Sequence, residues 1–122
     1  MRVWTLPVVA LGVMTASLNL DAQPSEGAMR AAFEANLAMQ VRNVLDFVAE
    51  SGGSEAVAKV QEAGNDRYEV RTFRKLYCLA GDKVGFVCSF AVDIGVRDGL
   101  LRHILLGRFV PREGGLAYTS DT

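Results

Sequence analysis

Two cysteines, one histidine and a run of bases between residues 67 and 75 are the positions of this 122-residue chain where side-chain chemistry is sought first. A redox-active cysteine pair needs a Cys-x-x-Cys start to a helix, and Cys78 and Cys88 are spaced too far apart for that. One histidine with two such cysteines matches no tetrahedral zinc pattern. The acids are scattered singly, which gives no calcium loop. The glycines at 81, 85, 95, 99, 107, 114 and 115 sit at turns or inside strands, not in a phosphate-cradling loop between strand and helix. The expectation is that the chain uses no cofactor and no metal.

His103 would need a nucleophile or a second acid–base group within hydrogen-bond reach to act as a catalyst. No Gly-x-Ser-x-Gly context is present, and Asp93 is expected on the opposite sheet face from His103. A hydrolytic role for His103 is therefore the weakest reading, and the chain is expected not to be an enzyme. Arg67, Arg71, Arg74 and Lys75, interleaved with Phe73 and Tyr77, superficially form an aromatic and basic platform for nucleic acid. The formal charge of −1 supplies no field to concentrate such a ligand. Bases on an edge strand also block edge-to-edge pairing, and that is the preferred reading of these four.

The elements that must position these residues divide at three points. Residues 1–22 read as a secretory signal peptide: Arg2 opens it, an uncharged and mostly apolar stretch runs from Val3 to Leu20, and Ala22 precedes Gln23-Pro24. Retention as a membrane anchor is the competing reading, weakened by Pro7, Gly12 and the polar residues within the stretch. Cleavage removes one base and one acid, so the mature charge is unchanged and no membrane attachment is expected afterwards. Residues 23–122 are expected to form one α+β domain. Met29, Phe33, Leu37, Val41, Val44, Leu45 and Val48 recur at spacings of three and four, which predicts an amphipathic helix over 25–51 capped by Ser25 and stopped by Gly52-Gly53. A short second helix is expected over 54–63. From Arg67 the period changes to two, predicting strands at 67–79, 84–96, 100–110 and 116–120 joined by hairpin turns into an antiparallel meander.

In an exported domain of this size the two cysteines are expected to form a cross-strand disulfide. Setting Cys78 opposite Cys88 places Leu76 opposite Phe90 and Arg74 opposite Val92. Tyr68, Val70, Leu76, Phe86, Phe90, Val92 and Ile94 then share one apolar face, and Glu69, Arg71, Phe73, Lys75, Tyr77, Ser89, Ala91 and Asp93 share the other. With an Asp98-Gly99 turn, His103 falls opposite Ile94. Leu100 to Leu106 is apolar on both faces of an internal strand, so the face away from the helix also needs cover. There Ile104 and Leu106 are expected to join Phe73, Tyr77 and Ala91, ringed by Arg71, Lys75, Arg102 and Arg108. An apolar centre with a charged rim is the composition of an interaction surface.

One long helix on a four-stranded antiparallel meander resembles the cystatin-like arrangement in outline. The Gln-x-Val-x-Gly inhibitory loop of true cystatins is absent, because Gln40-Val41 falls on the helix, so the outline implies no activity. The first expectation is thus an exported, non-enzymatic binding module, periplasmic or secreted. Its partner would be a second copy or another exported or envelope protein. The alternative is a carrier of a small apolar ligand in a pocket lined by Phe33, Leu37, Phe90 and Val92. Native mass spectrometry of the protein recovered from a bacterial envelope should give a mass that starts at Gln23 and is two hydrogens short. An intact Met1 form with reduced cysteines would overturn both readings.

Overall fold

The computed structural model describes residues 23–121. The signal peptide expected over 1–22 and the terminal Thr122 lie outside the described residues. The order of elements is one helical run, α1 (Glu26–Glu62), followed by β1 (Glu69–Ala80), β2 (Phe86–Val96), β3 (Gly99–Arg112) and β4 (Gly115–Thr119). The strands form one antiparallel sheet in the order β1-β2-β3-β4. The architecture is α+β: one long helix packed on a four-stranded meander.

Ser25 starts the helix, its Oγ accepting from the Ala28 amide at 3.1 Å, with Glu26 in the positively polarised first turn. The two helices expected on either side of Gly52-Gly53 form one run broken at Gly53, which has φ 74° and ψ −172°. A side chain is strained in that conformation, so glycine is the residue that turns the chain here. The helix ends at Gly64, φ 75°, where the Asn65 amide bonds back to the Val60 carbonyl at 3.1 Å.

The core lies between the first third of the helix and the face of the sheet that it covers. Met29, Ala32 and Phe33 are the buried helix residues, and they meet Val70, Phe73, Cys78, Cys88, Phe90, Val92, Ile94 and Phe109. Phe90 is its centre. Its ring centroid lies 5.3 Å from Phe33, 4.9 Å from Phe73, 5.7 Å from Phe109 and 5.8 Å from Tyr118. Tyr118 reaches that cluster over Gly107, where a Cβ would collide with its ring.

Cys78 and Cys88 are directly paired and disulfide-bonded, as expected. Closing a loop of this size stabilises by ~2–3 kcal/mol in the chain-entropy account. The register derived from them holds only locally. β1 carries two bulges, at Leu76 and at Arg71, each with no partner on β2. Beyond the first bulge Lys75 pairs with Phe90, Arg74 with Ala91 and Phe73 with Val92. Phe73 therefore turns inward and is 7% exposed, while Leu76, expected in the core, is 40% exposed. The second bulge restores the original parity, which returns Val70 to the core. An extra residue exchanges the faces of everything after it until another extra residue intervenes.

Two further corrections follow from the strands. The β2–β3 turn is Arg97-Asp98, with Val96 opposite Gly99, so His103 lies opposite Val92 and not Ile94. The shift is of two residues, so each β3 side chain keeps its expected face. Lys75 leaves the outer face for the amino end of the helix: its amide donates to Glu26 Oε2 at 2.9 Å and its Nζ to the Pro24 carbonyl at 2.8 Å.

The edge strands are tied to the helix. Arg30 donates to the Val70 carbonyl at 2.8 Å and Gln23 to the Cys78 carbonyl at 3.3 Å, both on β1. On the opposite edge Asn36 donates to the Tyr118 carbonyl of β4 at 3.4 Å. Backbone groups that would otherwise template another strand are thereby occupied.

Replacing Phe90 with alanine removes the ring shared by all four aromatic contacts and leaves a cavity, so urea unfolding should show a loss of about 3–5 kcal/mol. Phe47→Ala, at a helix position 69% exposed, should stay within about 0.5 kcal/mol of the unaltered protein. Equal losses at the two sites would contradict this placement of the core.

Candidate interaction face

The outer face of the sheet carries the residues that point away from the helix, and the helix lies on the other side. Cross-strand pairs define its rows. Leu79 stands beside Val87 and Arg108, Tyr77 beside Ser89 and Leu106, Arg74 beside Ala91 and Ile104, and Thr72 beside Asp93 and Arg102. Ile104 is 73% exposed, and Tyr77, Leu79, Leu100 and Leu106 are exposed as well. Isolated exposed apolar residues need no explanation, but here they are contiguous neighbours on one pleated surface.

The rim is more basic than acidic. Arg71, Arg74, Arg102 and Arg108 border the face, against Glu69 and Asp93. Arg71 Nε pairs with Glu69 at 2.8 Å and lies over Gly95. Asp93 is engaged twice, by Thr72 Oγ1 at 2.9 Å and by Arg102 Nε at 3.4 Å. Arg102 is exposed, so this pair adds little to stability. Arg108 donates to the Val84 carbonyl at 3.3 Å. Arg74 has no carboxylate partner among the described residues.

Of the eight residues expected on this face, the structure gathers Arg71, Tyr77, Arg102, Ile104, Leu106 and Arg108. Phe73 and Lys75 are not part of it, because the Leu76 bulge turns both towards the helix side. The same bulge brings in Arg74, which sequence reasoning had placed opposite Val92, on the inner side. Leu79 belongs here too, although the sequence reading did not include it; it is 62% exposed and paired with Val87.

The residues named for an internal ligand pocket do not enclose a common cavity: Phe33 and Phe90 are in edge-to-face contact, and Val92 is buried in the same core. A cleft of about 290 Å³ opens at the helix–sheet margin instead, reached by Phe33, Leu37, Ile94, Leu105 and Tyr118. His103 and Ser120 border it. His103 is exposed and forms no hydrogen bond or ion pair with another described residue. No group of three or more His, Cys, Asp or Glu side chains that could hold a metal occurs among the described residues. Among them, too, no helix is long and apolar enough to cross a membrane. Comparison with known protein families, with curated proteins and with solved structures finds no match to this chain.

Burial holds the Tyr118 phenol above its ordinary value of 10.0. The neutral ring is favoured in the folded state, so this residue leaves stability unchanged below pH 10. Above that, the unfolded chain ionises first and stability falls until the folded phenol also titrates. Tyr118→Phe should remove that part of the alkaline loss. Parallel declines for the two proteins above pH 10 in urea-unfolding midpoints would refute the assignment.

Proposed function

We propose that this chain is an exported, non-enzymatic binding module that docks another exported or envelope protein on its outer sheet face. The observation that carries the reading is the contiguous exposed surface of Tyr77, Leu79, Ile104 and Leu106 on a sheet whose other face is filled by the helix. The disulfide in a small domain is compatible with an oxidising, exported location. The signal-like character of residues 1–22 supports export from the sequence side.

Charge selects the partner. Arg71, Arg74 and Arg102 against Glu69 and Asp93, both acids already paired, make this part of the rim net positive. Two copies stacked face to face would oppose like charges, whereas a partner with an apolar centre and a carboxylate rim would complement it. Partner retention should be compared by native mass spectrometry and by titration with the partner so identified. Ile104→Asp should abolish the complex with the folded domain intact, and Arg74→Glu should weaken it at least tenfold. Raising the salt concentration should weaken binding to the unaltered protein. A complex indifferent to both substitutions would reject the face, and an Ile104-dependent homodimer would reject the acidic partner in favour of a second copy.

A further inference from the structure

β3 is longer than the strand that covers it. It runs over 14 residues, whereas β4 has 5 and pairs only with residues 108–112. On that side residues 99–107 meet no strand among the described residues, although their other side pairs with β2 without a shift. Residues 100–106 read Leu-Leu-Arg-His-Ile-Leu-Leu, and all but the half-buried Leu105 are exposed.

An open edge turns alternate backbone N–H and C=O groups to solvent and templates another strand unless it is blunted. β1 is blunted by its two bulges and by its bonds to the amino end of the helix. β4 is blunted by its shortness and by Asn36. The open stretch of β3 has neither device. Its pairing with β2 is regular, it contains no lysine or proline, and no side chain among the described residues bonds to its backbone.

We infer that this edge pairs antiparallel with the same edge of a second copy, about a two-fold axis at His103. Such an axis keeps like faces together, so each residue meets one of its own parity. An axis at Arg102 would set two guanidinium groups opposite each other. An axis at Ile104 would set Leu100 opposite Arg108, a place that Thr119 of β4 already occupies. The axis at His103 does neither. It sets Leu100 opposite Leu106 on the outer face, Leu101 opposite Leu105 on the helix side, and Arg102 opposite Ile104. Apolar side chains directly opposed across an antiparallel pair stabilise it, and Arg102 keeps its own Asp93 at 3.4 Å. The two sheets join through β3, with both helices on one side. The outer faces become continuous and stay free, so the inference goes beyond the sheet-face reading and does not depend on it.

Sedimentation equilibrium and native mass spectrometry of the protein as recovered from the cell should show a reversible dimer. His103→Glu and His103→Lys each set like charges on the axis and should weaken it at least tenfold. An equimolar mixture of the two should give mainly the heterodimer. Ile104→Asp should leave the dimer within threefold, because its carboxylate would face Arg102 of the second copy, while the same change abolishes docking on the sheet face. In the unaltered protein, amide exchange over residues 100–106 should slow as the concentration rises, which decides the matter should a charged variant fail to fold. A monomer at every concentration, a dimer indifferent to His103→Glu, a mixture no more dimeric than either variant alone, or exchange independent of concentration would each overturn the inference. So would a dimer that tolerates His103→Glu and is lost on Ile104→Asp, the result for copies stacked face to face.

Discussion

Phe90 sits where the helix, the neighbouring strands and the last strand each deliver a ring: Phe33 from α1, Phe73 from β1, Phe109 from β3 and Tyr118 from β4. Each such contact adds about 0.5–1.5 kcal/mol beyond simple burial, in a domain class whose whole stability is about 5–15 kcal/mol. The position of every element is therefore coupled to one side chain. A helix shifted along the sheet would withdraw Phe33, and a strand slipped by one residue would turn its ring to solvent.

That demand explains the irregularity of β1. A regular strand in register with the disulfide would have pointed Phe73 outward. The bulge at Leu76 exchanges it for a core position, and the bulge at Arg71 restores the pattern in time for Val70 to be buried. The extra residues fall on an edge strand, where bulges are best tolerated. The rearrangement also carries Lys75 to the amino end of the helix, where it joins Arg30, Glu26 and Gln23 in occupying or flanking the exposed backbone of β1. Lys75 thus guards the edge by bonding to the start of the helix and the residue before its cap, not merely by repelling a neighbour.

The apolar outer face of the sheet and the apolar stretch of helix beyond it are two consequences of one mismatch in size. The core is filled by the first third of the helix and the inner sides of four strands. That leaves a second apolar sheet face and an apolar stretch of helix outside it. The stretch of helix is partly met by the segment after Gly53. The sheet face has a mixed rim, rich in arginine, around a contiguous apolar centre.

The local pattern of residues was sufficient for the class of fold, because its signals are short-range. Spacings of three and four from Met29 to Val48 specify a helix, the change to alternation after Arg67 specifies strands, and Gly53, Gly64 and the hairpin turns mark the breaks. The cysteine pair specified one row of the sheet. It was not sufficient for the rows further along β1, since a bulge leaves no local mark: Leu76 and Arg71 are ordinary strand residues, and only the competition for space around Phe90 makes them the extra ones. The outward Ile104 and Leu106 were legible because β3 pairs regularly with β2, so alternation carried through. Phe73, Lys75 and Arg74 were misplaced because their faces depend on a count of residues that packing alters. Alternation and turn chemistry act between neighbours in the chain, whereas the fit of rings and carboxylates into shared space is settled only when distant segments meet.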